Sequence, residues 1–133
     1  MKNQVRELYK CPKCHLVVEI ASSCSCQDPC MRCCGVMLEP VKANTVDASH
    51  EKHVPCAHRT DDGIAVQIGS AEHPMTAEHH IVWVEVTSGD WSLRKYLKAG
   101  EKPYVDFKLC CNCHEKVHVR AFCNLHGLWQ TEL

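Results

Sequence analysis

The sequence carries almost no net charge, because 15 Lys and Arg residues nearly balance 16 Asp and Glu residues and leave a formal charge of −1. Proteins that bind nucleic acid or anionic lipid through their overall charge are strongly basic, so neither partner is expected. Apolar runs are only a few residues long, which excludes a transmembrane helix. The start of the chain lacks the apolar core and the cleavage site of a secretion signal, so we expect a cytoplasmic protein.

The first forty residues also lack enough apolar side chains to bury a core of their own, so a metal or a disulfide must stabilise them. What the sequence has in excess is 12 cysteines and 10 histidines. In a reducing cytosol this density favours metal ligation over disulfides, and neutral imidazole is the most frequent metal-binding side chain. The alternative is a set of inert buried thiols and surface histidines.

The chain changes character near residue 41. Residues 1–41 contain seven of the cysteines and are predicted to be a small metal-binding domain. Residues 41–52 are polar and unperiodic, as in a linker, and residues 42–133 are predicted to form a β domain. Apolar alternation, β-branched content and flanking turn residues predict its strands, and their spacing is typical of an antiparallel sandwich. The predicted strands are Ile64–Ile68, Ile81–Val86, Trp91–Lys98, Tyr104–Lys108 and Lys116–Phe122.

Four cysteines in the first domain have the spacing of a metal site. Cys11 and Cys14 form a C-x-x-C motif, and the adjacent pair Cys33 and Cys34 follows after eighteen residues. Four thiolates are enough for tetrahedral iron or structural zinc. The intervening cysteines are either spare thiols or ligands of a different site, such as an iron–sulfur cluster. They are Cys24, Cys26 and Cys30.

A second donor set comes from three separate segments of the β domain. It contains four imidazoles and one thiol at loop or strand-edge positions, where the ligands of a β-sandwich gather. Its members are His53, His73, His79, Cys123 and His126. Each of these residues is ordinary when taken alone, but Cys123 and His126 are close enough in sequence to hold one ion together.

The chain resembles the desulfoferrodoxin and superoxide reductase family from Tyr9 onward. The resemblance rests on Tyr9-Lys10-Cys11-x-x-Cys14, Cys33-Cys34-Gly35-x-Met37, and the words HPMT, EHH-I-W-E and CNLHGLW. It departs from the family at His15, where glycine is usual, and in the longer stretch between the cysteine pairs. It implies an all-β chain, with a desulforedoxin-like N-terminal domain that holds iron through four cysteines and a superoxide reductase domain with an Ig-like antiparallel β-sandwich fold.

The same resemblance implies a catalytic iron with an open sixth position. His53, His73, His79 and His126 correspond to its four equatorial ligands, and Cys123 corresponds to the axial thiolate. Lys52 resembles the lysine that steers superoxide, and Glu51 resembles the glutamate that closes on the oxidised iron. From their context alone, both residues are solvated side chains in a linker.

The implied activity is the one-electron reduction of superoxide to hydrogen peroxide, a detoxification in an organism that meets oxygen only occasionally. A rubredoxin-like protein is the implied electron donor, the N-terminal iron is auxiliary, and a homodimer is allowed by analogy. The alternatives are a non-enzymatic iron electron-transfer protein, a zinc-stabilised binding module and a superoxide dismutase. No role is expected for the remaining cysteines and histidines, which are Cys56, Cys110, Cys111, Cys113, His50, His58, His80, His114 and His118.

Overall fold

The computed structural model describes residues 3–27, 30–44, 53–109 and 115–133. These residues form antiparallel strands and turns, and none of them lies in a helix, so the predicted all-β class is confirmed. No helix within these ranges is therefore available to span a membrane. The chain divides into two compact units, Met1–Lys42 and Ala43–Leu133.

The first unit has five very short strands. They are β1 (Leu8–Lys10), β2 (Val17–Glu19), β3 (Arg32–Cys33), β4 (Val36–Met37) and β5 (Glu39–Pro40). Strand β1 pairs with β2 on one side and β5 on the other, while β3 and β4 form a separate hairpin. Its buried apolar side chains among the described residues are only Leu8, Cys11 and Ile20. Such a core is too small to hold a fold without a further constraint.

The second unit is a sandwich of two antiparallel sheets. Its strands are β6 (Pro55–Thr60), β7 (Gly63–Ile68), β8 (Ile81–Ser88), β9 (Trp91–Tyr96), β10 (Tyr104–Lys108), β11 (His118–Cys123) and β12 (Gly127–Glu132). One sheet has the order β10-β7-β6 and the other has the order β12-β11-β8-β9. The chain crosses from the second sheet to β10 and back again, as in Ig-like folds.

The core lies between the two sheets. Alternate residues of β7 and β10 face alternate residues of β8 and β11, which is the pattern expected of a two-layer sandwich. The fully buried members include Ile64, Val66, Ile68, Ile81, Val84, Val86, Val119, Ala121 and Cys123. One residue of the predicted donor set therefore belongs to the core itself.

The five predicted strands of the β domain are present, with ends shifted by one or two residues. Two further strands, β6 and β12, were missed, and each lies at the edge of its sheet. Strands β9 and β10 are edge strands as well and were predicted, so edge position alone does not explain the difference. Buried and exposed residues alternate strictly in β10 but not in β6 or β12. In β6, for example, only Pro55 is fully buried.

Several chain segments meet at one end of the sandwich. Strand β6 begins just after His53, and its first residue pairs with the last residue of β7. Strand β11 ends at Cys123, which pairs with Ile81 at the start of β8 and with Gly127 at the start of β12. The connections at this end carry all the predicted donors of the β domain.

Candidate metal centres

The sulfur atoms of four cysteines meet in the first unit. The Sγ atoms of Cys11, Cys14, Cys33 and Cys34 all lie within 4.8 Å of one another. Cys14 Sγ is 3.6 Å from Cys33 Sγ, which is 3.8 Å from Cys34 Sγ. In a tetrahedron with metal–sulfur bonds of about 2.3 Å, neighbouring sulfurs are about 3.8 Å apart. The group therefore has the dimensions of a four-thiolate metal site.

Backbone conformation explains how two adjacent cysteines can share this group. Cys33 ends strand β3, while Cys34 and Gly35 form the turn of the hairpin with φ of 54° and 73°. Positive φ at both central residues is typical of a type I′ turn, which suits the twist of paired strands. The turn brings the second thiol back beside the first, although successive side chains of an extended strand point to opposite faces.

His15 also has a positive φ, of 66°. It follows the C-x-x-C motif, and its backbone N–H donates to the carbonyl of Cys11 at 3.0 Å. Glycine, which the resemblance leads us to expect at this position, enters the left-handed region without cost. Histidine is among the side chains that tolerate this region best, so the departure keeps the turn.

Hydrogen bonds shift the pKa values of Cys11 and Cys33 in opposite directions. The backbone N–H of Cys14 donates to Cys11 Sγ at 3.5 Å, and chiefly for this reason the pKa of Cys11 is lowered to about 7. The pKa of Cys33 is raised to about 12, first by its hydrogen bond with Cys14 and then by that with Cys34. A cation is therefore needed before all four can be thiolates together.

The three other cysteines of this unit lie outside the group. Cys24 Sγ lies 3.7 Å from the carbonyl oxygen of Cys26, and Cys30 Sγ lies 3.5 Å from Met37 Sδ. Within the described ranges, the group holds only the four cysteines of the two pairs. Of the two readings of the extra cysteines, this arrangement favours spare thiols.

In the second unit, four imidazole rings form a nearly square ring. Going round it, neighbouring ring centroids are 4.6 Å apart for His53 and His73, 4.7 Å for His73 and His79, and 4.9 Å for His79 and His126. The last side, between His126 and His53, is 5.0 Å, and the diagonal from His53 to His79 is 6.1 Å. Four donors arranged around such a ring are what the family resemblance implies for the equatorial ligands.

Cys123 Sγ lies within 4.8 Å of a ring nitrogen of each of His53, His73 and His79. His126 falls outside this compact set of four, yet its Nδ1 is 3.2 Å from His53 Nε2 and 4.0 Å from Cys123 Sγ. Two nitrogens bound at right angles to one ion with bonds of about 2.1 Å are about 3.0 Å apart. The pair His53–His126 thus has the spacing of neighbouring ligands, while the sulfur lies somewhat further out.

Neighbouring residues orient the rings. His73 Nδ1 is 2.7 Å from the carbonyl oxygen of Pro74, so it is the protonated nitrogen, and Nε2 keeps its lone pair for a metal. Trp129 stacks on His53 at 4.6 Å, and its Nε1–H donates to the carbonyl of His126 at 3.1 Å. Within the described part of the chain, the buried His79 Nε2 has no hydrogen-bond partner, and a bound metal would supply one.

The two sides of the ring differ in exposure. Cys123, His53 and His73 are buried, with exposed fractions of 0%, 1% and 3%. His79 is half-buried and His126 is exposed. The thiol thus belongs to the apolar core, and the side of the ring formed by His79 and His126 is the one within reach of solvent.

Other predicted residues lie away from these groups or outside the described ranges. Glu51 and Lys52, for which catalytic roles are expected, lie outside them, as do Cys110, Cys111, Cys113, His50 and His114. Cys56, His58 and His118 are exposed on strands, and His80 is half-buried beside His79.

Sequence reasoning gave no role to the residues that hold the rings in place. Trp129, Thr76 and Asn124 all contact a predicted ligand or its neighbour. The signal that could have found them was the flanking words HPMT and CNLHGLW, in which these three residues stand beside the donors. A family resemblance that includes the residues beside the donors indicates that the residues holding the donors in place are also present.

Comparisons with known proteins agree with this picture. The sequence model of the desulfoferrodoxin family matches residues 45–132. A desulfoferrodoxin from Syntrophotalea carbinolica is 40% identical over 95% of each chain, and one from Nitratidesulfovibrio vulgaris is 39% identical over 99% of each chain. The crystal structure of the superoxide reductase from Treponema pallidum is similar with a TM-score of 0.73 and 27% identity, covering 94% of this chain and 96% of that one. Together with the two donor groups, these matches confirm iron as the expected cofactor of both centres.

Proposed function

Because the chain belongs to the desulfoferrodoxin family, we propose that it is a superoxide reductase, an oxidoreductase that converts superoxide to hydrogen peroxide. The observation that carries the proposal is the square of four imidazoles beside a buried thiol. The proposed ligands of the catalytic iron are His53, His73, His79, His126 and Cys123. Those of the N-terminal iron are Cys11, Cys14, Cys33 and Cys34.

Bound iron supplies the single electron, and two protons complete the conversion of superoxide to hydrogen peroxide. The donor set suits an anionic substrate, because four neutral imidazoles and one thiolate contribute only one negative charge to the site. Substrate would arrive at the solvent side of the ring, where His79 and His126 are the accessible members.

The buried thiolate of Cys123 influences the redox chemistry of the proposed iron site. Its sulfur sits among core side chains, where no water competes for its lone pairs. A soft, electron-rich ligand on this side favours oxidation of the metal, and its apolar surroundings strengthen that effect. The protonated Nδ1 of His73 fixes that ring as a neutral donor.

The remaining roles are proposals by family resemblance. Lys52 draws superoxide towards the site, and Glu51 occupies the oxidised site once product has left. A rubredoxin-like protein returns the electron, residues 1–41 form an auxiliary iron domain, and residues 42–133 form the catalytic domain. A cytoplasmic location and a homodimer complete the proposal.

A superoxide pulse applied to the reduced protein tests the proposed activity. We expect a thiolate-to-ferric absorption band to appear at long wavelength, with one hydrogen peroxide formed per superoxide and no oxygen released. Dismutation would give half as much peroxide together with oxygen. An electron carrier would show the colour change only with other oxidants. A colourless protein that contains zinc would contradict both the enzymatic and the electron-transfer hypotheses.

A further inference from the structure

The loop that carries His79 is held by a residue outside the donor set. Asn124 Oδ1 accepts a hydrogen bond from the backbone N–H of His80 at 2.9 Å, and its Nδ2 donates to the carbonyl of Glu78 at 2.9 Å. The backbone N–H of Asn124 also donates to the carbonyl of His80 at 3.2 Å. Three hydrogen bonds therefore hold the backbone on both sides of His79.

Asn124 is also the residue that follows Cys123. The segments that it joins are more than 40 residues apart in sequence, and one contains a predicted equatorial ligand while the other contains the predicted axial ligand. One side chain therefore sets the position of His79 relative to the thiol. The amide suits this task because it has a donor and an acceptor on the same short side chain.

His79 depends on this support more than His53 and His73 do. His73 has a hydrogen bond from its own ring to Pro74, and His53 is stacked on Trp129. Among the residues that the structure describes, none is a hydrogen-bond partner of the buried Nε2 of His79, so the described hydrogen bonds that place this ring act through its backbone. Thr76 helps from the other side, since its Oγ1 accepts from the backbone N–H of His79 at 3.1 Å.

We propose that Asn124 is a positioning residue of the histidine–cysteine centre, which fixes His79 against Cys123. The inference rests on the proposed function in taking these two residues as ligands of one iron. Loss of a residue that orients a metal ligand typically lowers metal affinity by about 10-fold to 100-fold. Asn124 should therefore control how firmly the iron is retained, separately from its contribution to folding.

The test is the rate at which the oxidised holoprotein loses iron to a strong chelator, followed by the long-wavelength band that requires Cys123. We expect Asn124→Ala to lose this band about tenfold faster or more than the wild type, and to shift its maximum. Ser88→Ala is the matched control, because Ser88 Oγ also donates to a backbone carbonyl, that of Lys116, at the far end of β8. It should lower the melting temperature and leave the iron-loss rate unchanged.

A second variant covers the case in which Asn124→Ala does not fold. Asn124→Asp keeps the size and the acceptor for His80 but loses the donor to Glu78, so it should also release iron faster. Wild-type rates and spectra in the variants that fold would overturn the inference, as would equally fast release from Ser88→Ala. If the wild-type protein itself lacks the long-wavelength band, the proposed function fails as well. If the wild type shows the band and the Asn124 variants lose iron at the wild-type rate, only the role of Asn124 is rejected.

Discussion

Cys123 belongs to the hydrophobic core and to the candidate site at once. It is the last residue of β11, it is fully buried, and it packs in the cluster that the two sheets share. The register between β11 and β8 shifts at Phe122 and Cys123, as in a β-bulge. Bulges often occur next to functional sites, where they redirect a side chain. Here the irregularity lies where the strand delivers its sulfur to the imidazoles.

Replacing this sulfur should separate the two roles. We expect Cys123→Ser to remain folded, with a loss of about 1–3 kcal/mol for burying a hydroxyl, and to lack the long-wavelength band entirely. Visible absorption and thermal unfolding measure the two effects. Cys56→Ser is the control, because Cys56 is an exposed cysteine of the same unit. Retention of the band in Cys123→Ser would mean that the sulfur is no ligand.

Lys52 precedes His53 and lies outside the described residues. If it steers superoxide, Lys52→Ala should keep its iron and react about tenfold more slowly at low ionic strength. The difference should shrink as salt is added, because salt screens the attraction between exposed charges. Pulse radiolysis over a series of salt concentrations measures this rate. An unchanged rate at low salt would remove the steering role.

At the scale of residues, the sequence identified the candidate metal donors but not the residues that hold those donors in place. Cysteine and histidine are frequent metal ligands, and their spacing is visible in the sequence. Both donor sets could therefore be proposed from the sequence alone. Asn124 acts through hydrogen bonds, and Trp129 acts through a stacked ring and a hydrogen bond. The contacts of Asn124 with residues 78 and 80 and of Trp129 with His53 form only after distant segments of the chain have met. The assignment of these particular side chains as the iron ligands stays a prediction.

Strand β8 is held on its outer face by charge. Glu85 lies opposite Arg94 of β9 and Arg120 of β11, with contacts of 3.1 Å and 2.8 Å to their Nε atoms. Its side chain is 3% exposed, and both guanidinium groups lie over the ring of Trp83. One buried carboxylate therefore ties together three strands of the four-stranded sheet.

Removing one member of such a buried set leaves uncompensated charge. We expect Glu85→Gln to lower the free energy of unfolding by about 3 kcal/mol, measured by urea denaturation followed by tryptophan fluorescence. The control is Asp62→Asn, since Asp62 and its partner Lys108 are 63% and 62% exposed and such pairs contribute little. Equal effects of the two substitutions would contradict the account.

At the scale of secondary structure, strands were predictable where burial produces a regular pattern of apolar residues in the sequence. Strands β7 and β8 lie inside their sheets, and their apolar patterns were visible in the sequence. Strand β10 lies at an edge, yet its buried and exposed residues alternate, whereas those of β6 and β12 do not. The strands of the first unit are two or three residues long, too short for any period to show.

Over the whole molecule, the two units differ in what holds them together. The second unit has a core shared by two sheets, whereas the described residues of the first include three buried apolar side chains, one of which is the thiol Cys11. All three tryptophans, Trp83, Trp91 and Trp129, belong to the second unit, so tryptophan fluorescence reports on that unit alone.

Metal loss should therefore unfold the first unit selectively. We expect Cys11→Ser to lose the N-terminal metal and to make residues 3–42 sensitive to trypsin, while the fluorescence melting curve stays within a few degrees of the wild type. Cys26→Ser is the matched control, because Cys26 is an exposed cysteine of the same unit outside the group of four. A trypsin-resistant first unit in Cys11→Ser would show that metal is not what stabilises it.

The central claim is that four imidazoles and one thiolate from separate segments share one iron. Anomalous diffraction from a crystal of the iron-loaded protein, recorded on both sides of the iron edge, tests it directly. The account predicts a peak within bonding distance of His53, His73, His79 and His126 and of Cys123 Sγ. An iron peak only among the four N-terminal cysteines, or one beyond reach of any of these five donors, would contradict it.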